Sequence, residues 1–128
     1  MRSLALIVAL ATPAAAQDTM DATAFEAHVT GRTITFRTAN NPSFGIERYL
    51  PGRRVMWSTF DGTCQYGFWF EDDGAICFRY DGDPENKCWR MYDDPGVMRG
   101  VYITQPPATI IFEDPARDDQ LVCNDLSS

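Results

Sequence analysis

The sequence contains no apolar run approaching the roughly 20 residues that a membrane-spanning helix needs; its longest, Leu4 to Ala11, is far shorter. Basic residues are also scarce. Eleven Lys and Arg stand against 18 Asp and Glu, a formal net charge of −7. Nucleic acid and anionic membrane both demand a basic footprint, so this balance argues against either as a partner. There is no Gly-x-Ser-x-Gly elbow and no Gly-rich phosphate loop. Cysteine and histidine never fall at metal-ligand spacing, since no Cys-x-x-Cys occurs and the single histidine, His28, is remote from every cysteine. No metal and no cofactor are expected. No internal repeat and no second domain are visible.

The N-terminus carries the three parts of a secretory signal. Arg2 supplies the positive charge and Leu4 to Ala11 the apolar stretch. Pro13 precedes the small residues Ala14, Ala15 and Ala16, which predicts cleavage after Ala16 and a periplasmic or secreted protein. No cysteine follows that point to carry a lipid anchor. The reading divides the chain into a signal peptide, 1–16, and one β domain, 17–128, with a polar tail from about residue 114.

The four cysteines agree with that address. Cys64, Cys77, Cys88 and Cys123 make an even set, which in an exported domain reads as two disulfides with three possible connectivities. Cys77–Cys88 and Cys64–Cys123 are preferred. The first pair flanks the turn Asp81 to Asn86 and suits neighbouring strands of one hairpin; the second ties the C-terminal tail to a strand in mid-sheet.

Asp21 is a plausible N-cap for a short helix over Ala22 to Val29, with Phe25 and Val29 on one face and Gly31 as the stop. From Thr33 the pattern changes to short alternating runs. Strands are predicted at Thr33–Arg37, Ile46–Leu50, Arg54–Thr59, Gln65–Glu71, Ala75–Tyr80, Lys87–Tyr92, Val97–Ile103 and Thr109–Glu113. Turn residues separate them, among them Pro51-Gly52, Asp72-Asp73-Gly74 and Asp94-Pro95-Gly96. The fold class is mainly β: a short N-terminal helix, then an antiparallel eight-strand meander forming a small closed or partly open barrel. So many aromatics on short strands should fill the lumen.

Alternation assigns the faces. Ile76, Phe78 and Tyr80 read as interior, with Tyr66, Phe68 and Phe70 beside them on the next strand. Trp69, Arg79, Arg90 and Tyr92 then share the outer, disulfide-bearing face as a candidate binding patch of arginine and aromatic groups. Asp81 to Asn86 begins like a calcium loop but has no Gly at its sixth position and Tyr92 at its twelfth, so it reads as a hairpin turn. The acidic turns fall at both ends of a meander, which disfavours a glycosidase carboxylate pair. His28 reads as a solvent-facing helix residue. No catalytic residues are assigned.

From Tyr49 to Met91 the segments YLPGRRVMWS, GTCQYGFWFE, AICFRY and KCWRM resemble a family of small exported alphaproteobacterial proteins without an assigned activity. The ICF-x-Y…CW element is the most specific part of that resemblance, which spans about a third of the chain. It implies export and a compact β domain, and it brings no catalytic residues. In architecture alone, the predicted meander also looks like the periplasmic inhibitor barrels.

Three functional classes follow, in order. The first is a non-enzymatic protein-binding module, an inhibitor or an accessory subunit of an envelope complex with a protein partner. The alternative is a carrier of a small apolar ligand, calycin-like in type, and an uncharacterised hydrolase comes third.

Overall fold

The computed structural model describes residues 2–10 and 18–124. Helix α1 (Ala22–Val29) is followed by β1 (Thr33–Arg37), β2 (Gly45–Leu50), β3 (Arg54–Ser58), β4 (Gln65–Asp72), β5 (Ala75–Tyr80), β6 (Lys87–Asp94), β7 (Val97–Tyr102) and β8 (Ile110–Glu113). Each strand pairs antiparallel with the next, and β8 returns to β1 through Phe36↔Glu113 and Arg37↔Phe112. The barrel is closed, which leaves no unpaired edge. The predicted elements are all present, with strand ends differing by at most two residues.

Because the chain runs up and down, the connections divide between two ends. One end carries α1 and the turns after β2, β4 and β6; the other carries the longer loops 38–44, 59–64, 81–86 and 103–109. Helix α1 plugs the first end. Phe25 and Val29 are fully buried, and the Phe25 ring meets Trp69 at 4.9 Å, Tyr49 at 5.7 Å and Phe78 at 6.2 Å, all edge-on. Asp21 caps the helix by accepting from the Ala24 N–H at 2.8 Å, and Glu71 on β4 accepts from the Ala22 N–H at 2.6 Å. Gly31 follows at φ 81°, a conformation glycine adopts without strain, and donates to the Tyr49 carbonyl. These contacts sew the plug to the strands it covers.

Both predicted disulfides are present, Cys64–Cys123 and Cys77–Cys88. The first holds the C-terminal tail, which lies beside Thr33 and Arg48 of β1 and β2 and reaches the loop after β3. Thr35 donates its hydroxyl to Asp119 at 2.8 Å, and Arg117 reaches the Pro42 carbonyl at 3.0 Å. Thr35, Ile46 and Ser58 point away from the lumen yet are buried.

The face assignment of β4 is corrected. Trp69 is only 1% exposed and belongs to the core, whereas Phe68 is 47% exposed and Phe70 lies beside it, ring to ring at 5.9 Å, on the outside. The register sets Trp69 opposite Phe78 and Phe68 opposite Arg79. Aromatic count favours the other phase of the strand, because it carries three rings against one. Space decides otherwise. Gly67 shares the interior phase, and a Cβ there would lie 2.0 Å from the backbone oxygen of Arg79. Phe25 from the helix plug packs on Trp69, so the strand contributes one large ring inward and turns its phenylalanines out.

Candidate functional site

The lumen is filled only at the helix end. Beyond the layer of Tyr49, Phe78 and Met91, a cavity of about 270 Å³ opens toward the loop end. Phe36, Phe44, Trp57, Tyr80, Trp89 and Tyr102 form most of its wall. Several are held against one another, with Trp89 and Tyr102 4.8 Å apart, Phe44 and Trp57 5.9 Å apart, and Phe78 stacked on Tyr80. The expectation that aromatics would fill the lumen is therefore overturned. Their rings pave its wall, because cross-strand partners such as Trp89↔Tyr102 lie along the sheet and α1 fills only the far half. Thr59 and Gln65 at the rim are exposed, which gives the cavity its mouth.

One wall residue is out of keeping with the rest. Glu47 on β2 is 1% exposed and points into the cavity, between Ile34 of β1 and Trp57 of β3 in the register. Tyr80 donates its hydroxyl to Oε1 at 2.9 Å, with Oε2 at 3.2 Å. No ion pair to Glu47 occurs among the described residues. Burial pushes its carboxyl well above the usual value of 4.5, and the Tyr80 hydrogen bond only partly opposes this. The Tyr80 and Tyr49 phenols are likewise raised by burial and by Glu47 beside them.

This arrangement has a measurable cost. Unfolded, Glu47 ionises near 4.5; folded, it holds its proton to higher pH, so stability falls as pH rises above 4.5. Glu47→Gln keeps an acceptor for Tyr80 and removes the charge. It is expected to gain about 1–2 kcal/mol at pH 8, the size a single stabilising substitution commonly yields, and nothing at pH 4. Urea denaturation at the two pH values checks this; an equal or smaller stability of the variant at pH 8 contradicts it.

The second polar cluster lies under the plug. Glu113, 2% exposed, receives His28 Nε2 at 2.8 Å, the Arg32 guanidinium at 2.6 Å and the Met98 N–H at 3.1 Å. His28 thus faces the barrel and joins α1 to β8, a correction to its solvent-facing assignment. Its helical position, three residues after Phe25, gave no sign of a partner 85 residues away.

The remaining residues of the expected patch do not assemble as one site. Trp69 is inside, where the Arg53 guanidinium covers its ring at 4.5 Å. Arg79, Arg90 and Tyr92 do lie outside, each engaged locally. Arg79 donates to Asn86, Arg90 reaches the Asp73 carbonyl at 3.5 Å, and Tyr92 lies under Arg99 at 4.4 Å. Asp81 to Asn86 is a loop between β5 and β6, with Asp83 accepting from the Glu85 N–H and from Lys87. Among the described residues no cluster of three or more His, Cys, Asp or Glu is placed to hold a metal. No helix there is long and apolar enough to cross a membrane.

Glu47 was not singled out in the sequence. Ile46, Arg48 and Leu50 make as good an interior phase as Glu47 and Tyr49, and alternation within the strand does not break the tie. With that geometry in place, no family model, curated protein or solved structure matches the chain. What defines it is its architecture, an eight-stranded antiparallel β-barrel with a helix plug and two disulfides.

Proposed function

We propose that this protein is a small-ligand-binding barrel of the cell envelope, its ligand held in the aromatic cavity at the loop end. The carrying observation is that cavity, about 270 Å³, with a buried carboxyl in an otherwise aromatic wall. Ligand sites combine apolar enclosure with a few polar groups that set orientation. An apolar cavity of about 150 Å³ accepts benzene, so this one suits a molecule of on the order of ten non-hydrogen atoms. The ranking against a protein-binding module rests on the cavity, because the outer residues expected to form one patch, Arg79, Arg90 and Tyr92, are each engaged locally and Trp69 is buried.

The envelope address is part of the same reading. Two disulfides and the exposed apolar residues Leu4, Leu6, Ile7, Val8 and Leu10 are consistent with an exported protein. Signal cleavage after Ala16, at a site outside the described residues, would release the barrel into the periplasm or medium. Kinship with the small exported alphaproteobacterial proteins belongs to this proposal too, as does the non-enzymatic role.

Titrating the disulfide-intact protein with neutral 2-phenylethanol tests the cavity directly, because Trp57 and Trp89 line it. Saturable, one-site change in tryptophan emission is expected. Thr109→Trp, which narrows the wall, should weaken it at least tenfold, and Gln65→Phe serves as a second filling variant. Linear, unsaturable quenching that neither variant alters would sink the reading.

A further inference from the structure

The chemical class of the ligand follows from how charge is distributed around the cavity, and this inference rests on the ligand-binding reading above. We propose that the aromatic cavity takes a small organic cation, an amine or quaternary ammonium compound, whose charged head pairs with Glu47 while its apolar body lies against the aromatic wall.

Glu47 carries the argument. A carboxylate buried among rings is costly unless paired; left alone the group keeps its proton, and a cationic partner lets it ionise in place. Here Tyr80 supplies one hydrogen bond, and no Lys, Arg or His pairs with Glu47 among the described residues. The contrast with Glu113 is instructive. That buried carboxyl, in the same barrel, has His28, Arg32 and a backbone N–H. One acid has three donors, two of them cationic groups; the other has only the Tyr80 hydroxyl, shared between its two oxygens, and no cation, and it faces a cavity.

The surroundings select the sign of the ligand. Lys87, the single lysine of the chain, is the only cationic side chain in the lining, and it is held by Asp83 at 2.6 Å. An entering anion would meet a neutralised lysine at the rim and Glu47 within. A cation meets the reverse. The loop at the mouth carries Asp81, Asp83 and Glu85, and the whole chain is at −7, a field that draws cations in.

The wall suits the same choice. Trp57 is the direct cross-strand neighbour of Glu47, and Tyr80 is its hydrogen-bond partner. An ammonium group beside Glu47 is therefore within reach of indole and phenol faces, which attract cations most strongly when water is excluded. A neutral ligand would use the rings but gain little from the carboxylate.

Phenethylamine, 2-phenylethanol and phenylacetate share a phenyl body and differ in charge, and each is small enough for the volume available. Calorimetric titration at pH 8 is expected to rank the amine at least tenfold tighter than the alcohol, with phenylacetate the weakest. In Glu47→Gln, shown to be folded by its circular dichroism, the amine should lose that lead and fall within threefold of the alcohol. If the alcohol equals or beats the amine in the native protein, or the amine keeps its lead in Glu47→Gln, the cation proposal is overturned while the cavity reading stands. If none of the three binds, both fail.

Discussion

Replacing Cys64 and Cys123 with serine is expected to cost about 4 kcal/mol. In the chain-entropy account a cross-link stabilises by restricting the unfolded chain, and the restriction grows with the enclosed loop. Cys64–Cys123 closes a separation of 59 residues, against 11 for Cys77–Cys88, which should be worth about 3 kcal/mol. Native geometry adds to the difference. The longer bridge fixes the tail, which Thr35–Asp119 joins to β1 and the Asn124 N–H on the Gly62 carbonyl joins to the loop after β3. Without it, the Asn124 and Asp119 contacts stand to be lost as well. Denaturant titration of the two double-serine proteins measures both effects. A loss under 1 kcal/mol for the longer loop, or a larger loss for the shorter, would contradict the account.

Glu113→Ala should lower stability by about 3 kcal/mol at pH 7, near the bottom of the range for breaking a buried charge pair. The low end is appropriate because Arg32 and His28 retain access to water, 45% and 22% exposed, while only the Met98 N–H is left buried without a partner. Glu113→Gln, which keeps an acceptor, should lose less. The pH dependence distinguishes this pair of carboxyls. Burial pushes the Glu113 carboxyl up, but hydrogen bonds from His28, the Met98 N–H and Arg32 together hold it below the usual 4.5. Its contribution is thus complete above 4.5 and is lost as pH falls through the lowered folded value. The gap between native protein and Glu113→Gln should close in acid, whereas the gap for Glu47→Gln opens with rising pH. A Glu113→Gln gap that stays constant between pH 7 and pH 3 would remove His28 and Arg32 from the explanation.

Much of the architecture was legible because local signals agreed with one another. Asp21, the Phe25/Val29 spacing and Gly31 define α1 on their own, and the turn residues divide the remainder into eight strands. The cysteine pairing followed from a register that could be tested within one hairpin, Cys77↔Cys88. What stayed hidden was the phase of strands with apolar residues on both faces. In β4 the choice between Trp69 and the Phe68/Phe70 pair depends on a close strand approach at Gly67 and on a ring delivered by α1. In β2 it depends on the packing that buries Ile46 on the outer face. Both determinants are tertiary, so alternation within the strand cannot register them. The cavity was hidden for the same reason. Whether rings fill a lumen or pave it depends on how far the plug extends, and with no phase assignable to β2 from alternation, Glu47 stayed out of view.

The claim that the loop-end lumen is a ligand site is tested most directly by a crystal structure of the protein grown with phenethylamine. The account predicts the amine inside the barrel, its nitrogen within hydrogen-bonding distance of the Glu47 carboxylate and its ring against Trp57 or Trp89. A lumen filled only by water, with the amine absent or confined to the outer surface, would contradict it.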